Sequence, residues 1–282
     1  MKILLVGEFS RLHNSLKEGL LALGHEVVLV NNGDGFKNFP ADISIRANFF
    51  KSRLGNVPRQ IWFKLFKKDV ALLEHGIRFW WISRKLKNFD VVQFINESPI
   101  QTVSKLELFL IKRLFKQNQK VFLLCCGIDY VTVNHMLQKK DRYSIMNPYF
   151  ENIPEAKKQY DYFFDFVDKP HQKIHKFLYK NIRGVIASDL DYVAPLLGNK
   201  KYLGLIANPI NTDKITGIEN KISDKINIFL GINTGNSFKK GISFFEKAIA
   251  IIQEKYPNTV EVKITKDIPY SDYQKHFEKA HI

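Results

Sequence analysis

Lys239 and Lys240 stand directly before Gly241, where a helical pattern begins. A diphosphate placed there would meet the open amides of a helix N-terminus and a lysine charge together. A solvated lysine pair in a surface loop is the plainer reading of the same residues. Other polar positions each follow a short apolar run of the strand type. Gly7 and Glu8 follow residues 2–6, Asn96 and Glu97 follow 90–95, and Asp129 lies just beyond 120–125. In open α/β folds ligands bind outside the carboxyl ends of the strands, so these are the candidate ligand-binding groups. His13 brings an imidazole into the first turn of the helix after Gly7. Structural readings stand beside the chemical ones. Gly7 suits a tight turn, Asp129 a helix cap, Glu97 the start of the next helix, and His13 a packed core position.

Some chemistry is not written in the chain. The turn after residues 2–6 lacks G-x-G-x-x-G, which counts against a nicotinamide dehydrogenase. The eight histidines are scattered, and no metal-ligand set is read. Cys125 and Cys126 are adjacent and have no basic neighbour in sequence, so neither a disulfide framework nor a thiolate nucleophile is expected. Cys126 reads as a small buried residue.

The elements that would hold these groups alternate between strand and helix. Residues 2–6 and 26–30 read as buried parallel strands around a helix over 10–23, with Ser10 as its N-cap and Gly24 as its stop. A short strand at 43–45 follows, then a long helix or two abutting ones over 59–87. Strands at 90–95 and 120–125 flank a helix over 102–116, and residues 129–169 form an irregular stretch with helical pieces. A helix at 174–181, a strand at 184–187, a helix at 190–197 and a strand at 201–206 complete a doubly wound domain over 1–210. Residues 211–224 lack pattern and read as a linker. Strands at 225–231 and 260–265 alternate with helices at 241–255 and 270–278, giving a partial domain over 225–282. A sheet of this class has about five or six strands, so the second domain is expected to continue past Ile282.

An apolar fraction of 45% supports packed cores rather than disorder. No apolar run approaches the ~20 residues of a membrane-spanning helix, and a soluble, cytoplasmic protein is expected. The net charge of +15, from 43 Lys and Arg against 28 Asp and Glu, points to anionic partners. Residues 51–87 concentrate it, with ten basic residues against Asp69 and Glu74. On one continuous helix, Trp62, Phe66, Val70, Leu73, Ile77 and Trp80 form an apolar stripe, while Lys64, Lys68, His75, Arg78 and Lys85 form a basic one. A core helix with a solvated basic back is one reading. Docking on anionic lipid headgroups at the inner face of the plasma membrane is the other.

Four segments, in order, resemble the retaining family 4 glycosyltransferases of the GT-B fold. They are MKILLVGEF with HNSLKEGLLALGHEVVLV, GVIASDLDYVAPLL, LIANPINTDKI, and IFLGINTGNSFKKG. The last is similar to the family's phosphate-binding segment. The resemblance implies an α/β chain of two Rossmann-like doubly wound domains, the second incomplete. It implies a UDP- or GDP-sugar donor as substrate, with no other cofactor required and no metal. Gly231, Asn233, Lys239, Lys240 and Gly241 would hold that donor, and Gly7, Glu8, Asn96 and Glu97 a saccharide or lipid-linked acceptor. Asp129 and His13 would take catalytic positions. Three departures accompany it. The family's Gly-Arg pair reads Gly231–Ile232, leaving Asn233 and Thr234 to donate in place of the arginine. Its His-Gly turn reads Cys126–Gly127–Ile128–Asp129, and its Glu-x7-Glu segment would lie beyond Ile282.

The expected function is therefore glycosyl transfer in cell-surface polysaccharide or glycolipid synthesis. The alternatives are a basic α/β binding module for nucleic acid or an anionic membrane, a GT-B epimerase or phosphorylase, and an inactive fragment. Nucleic acid is the less favoured partner because no recognised nucleic-acid motif occurs.

Overall fold

The computed structural model describes every residue except 67, 68, 215, 216, 218–220, 223 and 269, and omits the side chains of 36, 66, 214, 270 and 271 as well. The chain divides into two compact units. The first joins Met1–Gln138 to Phe163–Thr212, and the second joins Lys139–Tyr162 to Asp213–Ile282.

The first unit is α/β and Rossmann-like. Seven parallel strands make one sheet: β1 (Lys2–Val6), β2 (Glu26–Asn31), β3 (Ile43–Ser44), β4 (Val91–Phe94), β5 (Val121–Cys125), β6 (Gly184–Ala187) and β7 (Tyr202–Leu205). Their order is β3-β2-β1-β4-β5-β6-β7, so the chain reverses direction across the sheet between β1 and β4. The helices are α1 (Leu12–Ala22), α2 (Arg53–Phe66), α3 (Ala71–Ile82), α4 (Ser104–Gln117) and α5 (Tyr130–Leu137). Next come α6 (Asn147–Phe150) and α7 (Pro154–Tyr160) of the second unit, then α8 (Lys169–Asn181) and α9 (Val193–Leu196) of the first.

Strand side chains alternate faces. Leu4, Val6, Val92, Phe94, Leu123 and Val185 pack with Phe79 of α3, Leu110 and Leu114 of α4, and Ile174 and Leu178 of α8. On the opposite face Ile3, Leu5, Val27 and Leu29 meet Leu16 and Leu20 of α1. Burial on both faces explains why these strands read as unbroken apolar runs. The register pairs Val6 with Val30 and Phe94, and Cys125 with Ala187. Residues 7–8, 95–97, 126–129 and 188 therefore emerge along one carboxyl edge.

Three local expectations change. Ser10 does not cap α1, which begins at Leu12; Ser10 and Arg11 are left-handed, with φ of 49° and 71°. The Ser10 amide instead donates to the Asp34 carboxylate at 2.8 Å. Of the two readings of residues 59–87 the pair of helices holds, with the first already under way at Arg53 and the second beginning under Asp69. That carboxylate accepts from the Ala71 amide (2.9 Å) and from Arg59 Nε and Nη2 (2.8 and 2.6 Å). His75, expected on the solvated basic stripe, is buried. The third change concerns residues 139–162, read as part of the first domain, which belong to the second unit. There Gln159 donates to Ser237 Oγ at 3.3 Å, and Lys239 Nζ donates to Tyr162 Oη at 3.1 Å.

In the second unit β8 (Ile226–Ile232) and β9 (Val260–Lys266) run parallel from the pair Ile226–Val260 to Ile232–Lys266. Helix α10 (Ile242–Lys255) makes the crossover, and α11 (Tyr270–Phe277) follows. His281 donates its amide to Asn227 and Ile282 accepts from the Phe229 amide, so the last residues lie along β8. Of the linker expected at 211–224, residues 215, 216, 218–220 and 223 lie outside the described set.

Gly7 shows why the first turn needs glycine. Its φ is +89°, and a Cβ there would collide with Ile95 Cγ2 and lie 2.8 Å from the Pro99 carbonyl. Gly24 is also left-handed (φ +78°) but has open space around it. Urea unfolding should show Gly7→Ala losing about 3 kcal/mol and Gly24→Ala only about 1 kcal/mol. Equal losses would mean that crowding at Gly7 is relieved by relaxation.

Candidate functional site at the carboxyl edge of the first sheet

Glu8 follows Gly7 and turns back onto the next helix. Its carboxylate accepts from the His13 amide (3.3 Å), the Asn14 amide (2.9 Å) and Asn14 Nδ2 (2.6 Å). These amides are the open donors of α1, where the dinucleotide pyrophosphate sits in Rossmann folds. A buried carboxylate already occupies that position and would repel a phosphate. Burial raises the Glu8 pKa above its usual range, and the Asn14 and His13 bonds oppose the rise.

His13 is fully buried. Its Nδ1 lies 2.7 Å from the Gly7 carbonyl, so Nδ1 carries the proton and donates. Nε2 then accepts from Gln93 Nε2 at 3.3 Å. Desolvation lowers its pKa to about 4, against a partial rise from the Gly7 bond, and the ring is neutral at pH 7. His13 and Gln93 are polar walls of a cavity of ≈ 140 Å³, with Leu12, Leu16, Leu124, Ile186 and residues 206–209.

Asn96 and Asp129 are held in local turns. Asn96 Oδ1 accepts from the Ser98 amide at 2.9 Å. Asp129 caps α5 with a reciprocal capping box to Thr132, and the Cys125 thiol donates to its second oxygen at 3.6 Å. Burial raises the Asp129 pKa to about 7, and repulsion between it and Glu97 disfavours ionising both. Both cysteines are free and buried, and burial pushes both thiols up, Cys126 to about 11. Neither presents a thiolate.

Glu97 differs from these. It is buried, yet it makes a long-range bond, from Oε1 to His175 Nδ1 on α8 at 2.8 Å. The His175 ring lies between Tyr130 and Tyr179, at centroid distances of 4.4 and 4.3 Å. The contact has ion-pair spacing, but burial drives both groups neutral. Desolvation raises Glu97 to about 8, against the Tyr130 amide, and lowers His175 to about 4. At pH 7 the carboxyl O–H therefore donates to Nδ1, and the ring carries its own proton on Nε2. The Tyr179 hydroxyl is buried beside them without a hydrogen-bond partner. The Glu97–His175 pair is thus polar and uncharged, with Asp129, which titrates near pH 7, as the ionisable group beside it. His175 was not among the sequence candidates. The signal was there as His171, His175 and Tyr179 at i, i+4 and i+8, on a helix whose Ile174 and Leu178 enter the core.

The candidates of the second unit lie beyond β8. Gly231 leaves room for Tyr273, whose Cε2 would be 2.6 Å from an added Cβ. Asn233 accepts from the Gly235 amide at 3.1 Å. Thr234 does not supply the spare donor expected of it, because its amide and hydroxyl both donate to Asp267 at 3.0 and 2.6 Å. Gly241 takes φ +63° before α10. Two amides at the start of that helix are engaged, Ile242 with the Ser237 carbonyl and Phe244 with that of Gly241. Lys239 lies over the Tyr162 ring at 5.0 Å, and Lys240 is exposed at the helix tip. Among the described residues no group of three His, Cys, Asp or Glu side chains converges as a metal site.

No family model matches the chain, and no curated protein matches it. One solved structure that aligns with it is the crystal structure of the 3-alpha-hydroxysteroid dehydrogenase from Pseudomonas sp. B-0831 complexed with NADH. The alignment covers 66% of this chain and 70% of that one, at 15% identity and a TM-score of 0.30. A likeness this slight bears on neither fold nor activity.

The folded-state pKa of Glu97 lies above its unfolded value, so its contribution to stability is present at low pH and is lost as pH rises through about 8. The wild type should lose stability between pH 6 and 9, and Glu97→Gln should lose about 2 kcal/mol less over that range. Parallel slopes in urea titrations of the two proteins would show that Glu97 is ionised in the fold.

Proposed function

We propose that this chain is a glycosyltransferase that moves a sugar from a UDP- or GDP-sugar to a hydroxyl of a saccharide or lipid-linked acceptor. The observation that carries the reading is the Glu97–His175 bond at the carboxyl edge, beside the point where strand order reverses. With Nδ1 held by Glu97 and the side chain 21% exposed, the His175 Nε2–H is the group left to donate to a hydroxyl oxygen of the acceptor. In a retaining transfer an oxygen of the donor's own phosphate takes the acceptor proton. The edge then has to orient the hydroxyl and has no need of an ionised base, which suits an uncharged pair. The Glu8 carboxylate on the α1 amides opposes a dinucleotide phosphate there. The donor diphosphate is assigned to the second unit, at Lys240 beside the α10 tip, where the lysine offsets charge on the departing nucleoside diphosphate.

Thermal-shift titrations with UDP, GDP, ADP and NADH test the donor half. UDP or GDP should stabilise the wild type, Lys240→Ala should weaken that effect about tenfold in apparent affinity, and NADH should do nothing. Stabilisation by NADH alone would overturn the reading. Nucleoside diphosphate release from UDP- or GDP-sugars tests the acceptor half. Glu97→Gln, whose amide also donates to Nδ1, should stay within about threefold of wild type, while Glu97→Ala and His175→Ala should fall about tenfold or more. Equal losses in the Gln and Ala variants would mean that Glu97 works as a carboxylate.

A further inference from the structure

Helix α2 is amphipathic in the wrong sense for a packed helix. Leu54, Val57, Pro58, Ile61 and Leu65 recur at helical spacing and form its apolar stripe. That stripe faces solvent, with Leu54 85% exposed, Leu65 70% and Val57 63%. The opposite side packs over the first half of the helix only, and further along Trp62 and Phe63 are exposed as well. Gly55 is buried, and a side chain there would strike the Phe49 carbonyl, while Asn56 and Arg59 are part-buried. Apart from Phe109, the apolar residues of α4 and α8 go to the core instead. Helix α3 repeats the pattern more weakly, exposing Leu73, Ile77 and Trp81 at four-residue spacing. This arrangement replaces the single stripe through Trp62, Val70 and Trp80 expected from one continuous helix.

The charge around the stripe has one sign. Lys51, Arg53 and Lys64 are exposed on or beside α2, and Arg84, Lys85 and Lys87 are exposed after α3. The two acids of this stretch are already engaged. Asp69 is bound by Arg59, and Glu74 by Arg78 (2.9 Å) and the amides of Asn48, Phe49 and Phe50. An exposed aliphatic stripe flanked only by cations fits an anionic lipid surface. A second copy of a chain of net charge +15 would be repelled. Single-stranded nucleic acid is gripped by stacking aromatics; Trp62, Phe63 and Trp81 are exposed here, but the most exposed side chains of α2 are the aliphatic Leu54, Val57 and Leu65, which offer a base nothing to stack on. The helix has 14 residues, and among the described residues no helix is long and apolar enough to cross a membrane.

We infer that α2 lies flat on an anionic bilayer, with Leu54, Val57, Ile61 and Leu65 among the acyl chains and Arg53 and Lys64 at the headgroups. The test is co-sedimentation with vesicles of phosphatidylcholine alone and of phosphatidylcholine with roughly one third phosphatidylglycerol. The wild type should bind the anionic vesicles and not the neutral ones, and added salt should weaken binding. The double variant Ile61→Ser with Leu65→Ser should bind about tenfold more weakly. Both side chains are exposed, so far-UV circular dichroism of the variant should match the wild type. Tryptophan emission of the unaltered protein gives a second readout, and it should shift to the blue on anionic vesicles. Absence of both binding and shift overturns the inference. So does binding that the double variant leaves unchanged, or a wild-type dimer that the variant converts to monomer.

Discussion

Buried backbone amides must find acceptors, and in this protein carboxylates supply many of them at the loops around the first sheet. Glu8 serves His13 and Asn14, Glu107 serves Ile100 and Thr102, and Asp129 serves Thr132. Glu74 serves Asn48, Phe49 and Phe50. An amide left unmet would cost about 1–3 kcal/mol, and so would burying the acid without partners. The balance differs from site to site. Glu74 is also desolvated, but its three amides and Arg78 outweigh that and bring it down to about 2. Glu107, with two amides, stays near 7. Glu97, whose side-chain partner is an imidazole, rises to about 8. One competition between desolvation and hydrogen bonding thus sets the charge of each acid, and Glu97, which meets the Tyr130 amide and an imidazole, ends the highest of the three.

The same competition shapes what the carboxyl edge can accept. An anion at the α1 tip would have to displace Glu8 from two amides and enter a region whose histidines are neutral. Neither His13 nor His175 offers a positive charge at pH 7. The edge favours hydroxyls and amides over phosphates. On the glycosyl-transfer reading proposed above, the donor phosphates go to the second unit, where Lys239 and Lys240 precede α10. There the engaged amides of Ile242 and Phe244 leave the lysine charge with a larger share of the work than an open helix tip would.

Much of this was readable beforehand, for a physical reason. Strands covered on both faces cannot alternate in polarity, so each appeared as an apolar run, and the residue after each run fell on the carboxyl edge. Glu8, Asn96, Glu97 and Asp129 were found in this way. What escaped were choices made by tertiary contacts. Ser10 looked like a cap by type, but Glu8 reached the same amides from outside the helix. His175 is 78 residues from Glu97, and only the sheet brings them together. The membership of residues 139–162 rests on Gln159 and Tyr162, whose partners lie 77 or 78 residues away. The outward stripe of α2 was hidden because a wheel drawn through Asp69 mixes two helices with different orientations.

The neutrality of Glu97 is the claim on which the uncharged pair rests. Carbon-13 NMR of glutamate carboxyls, with the Glu97 signal assigned by its loss in Glu97→Gln, reads its protonation directly. A titration midpoint near 8 is the expected result. A midpoint in the ordinary glutamate range, near 4.5, would show a Glu97 carboxylate paired with a protonated His175, and the site would be an ion pair instead.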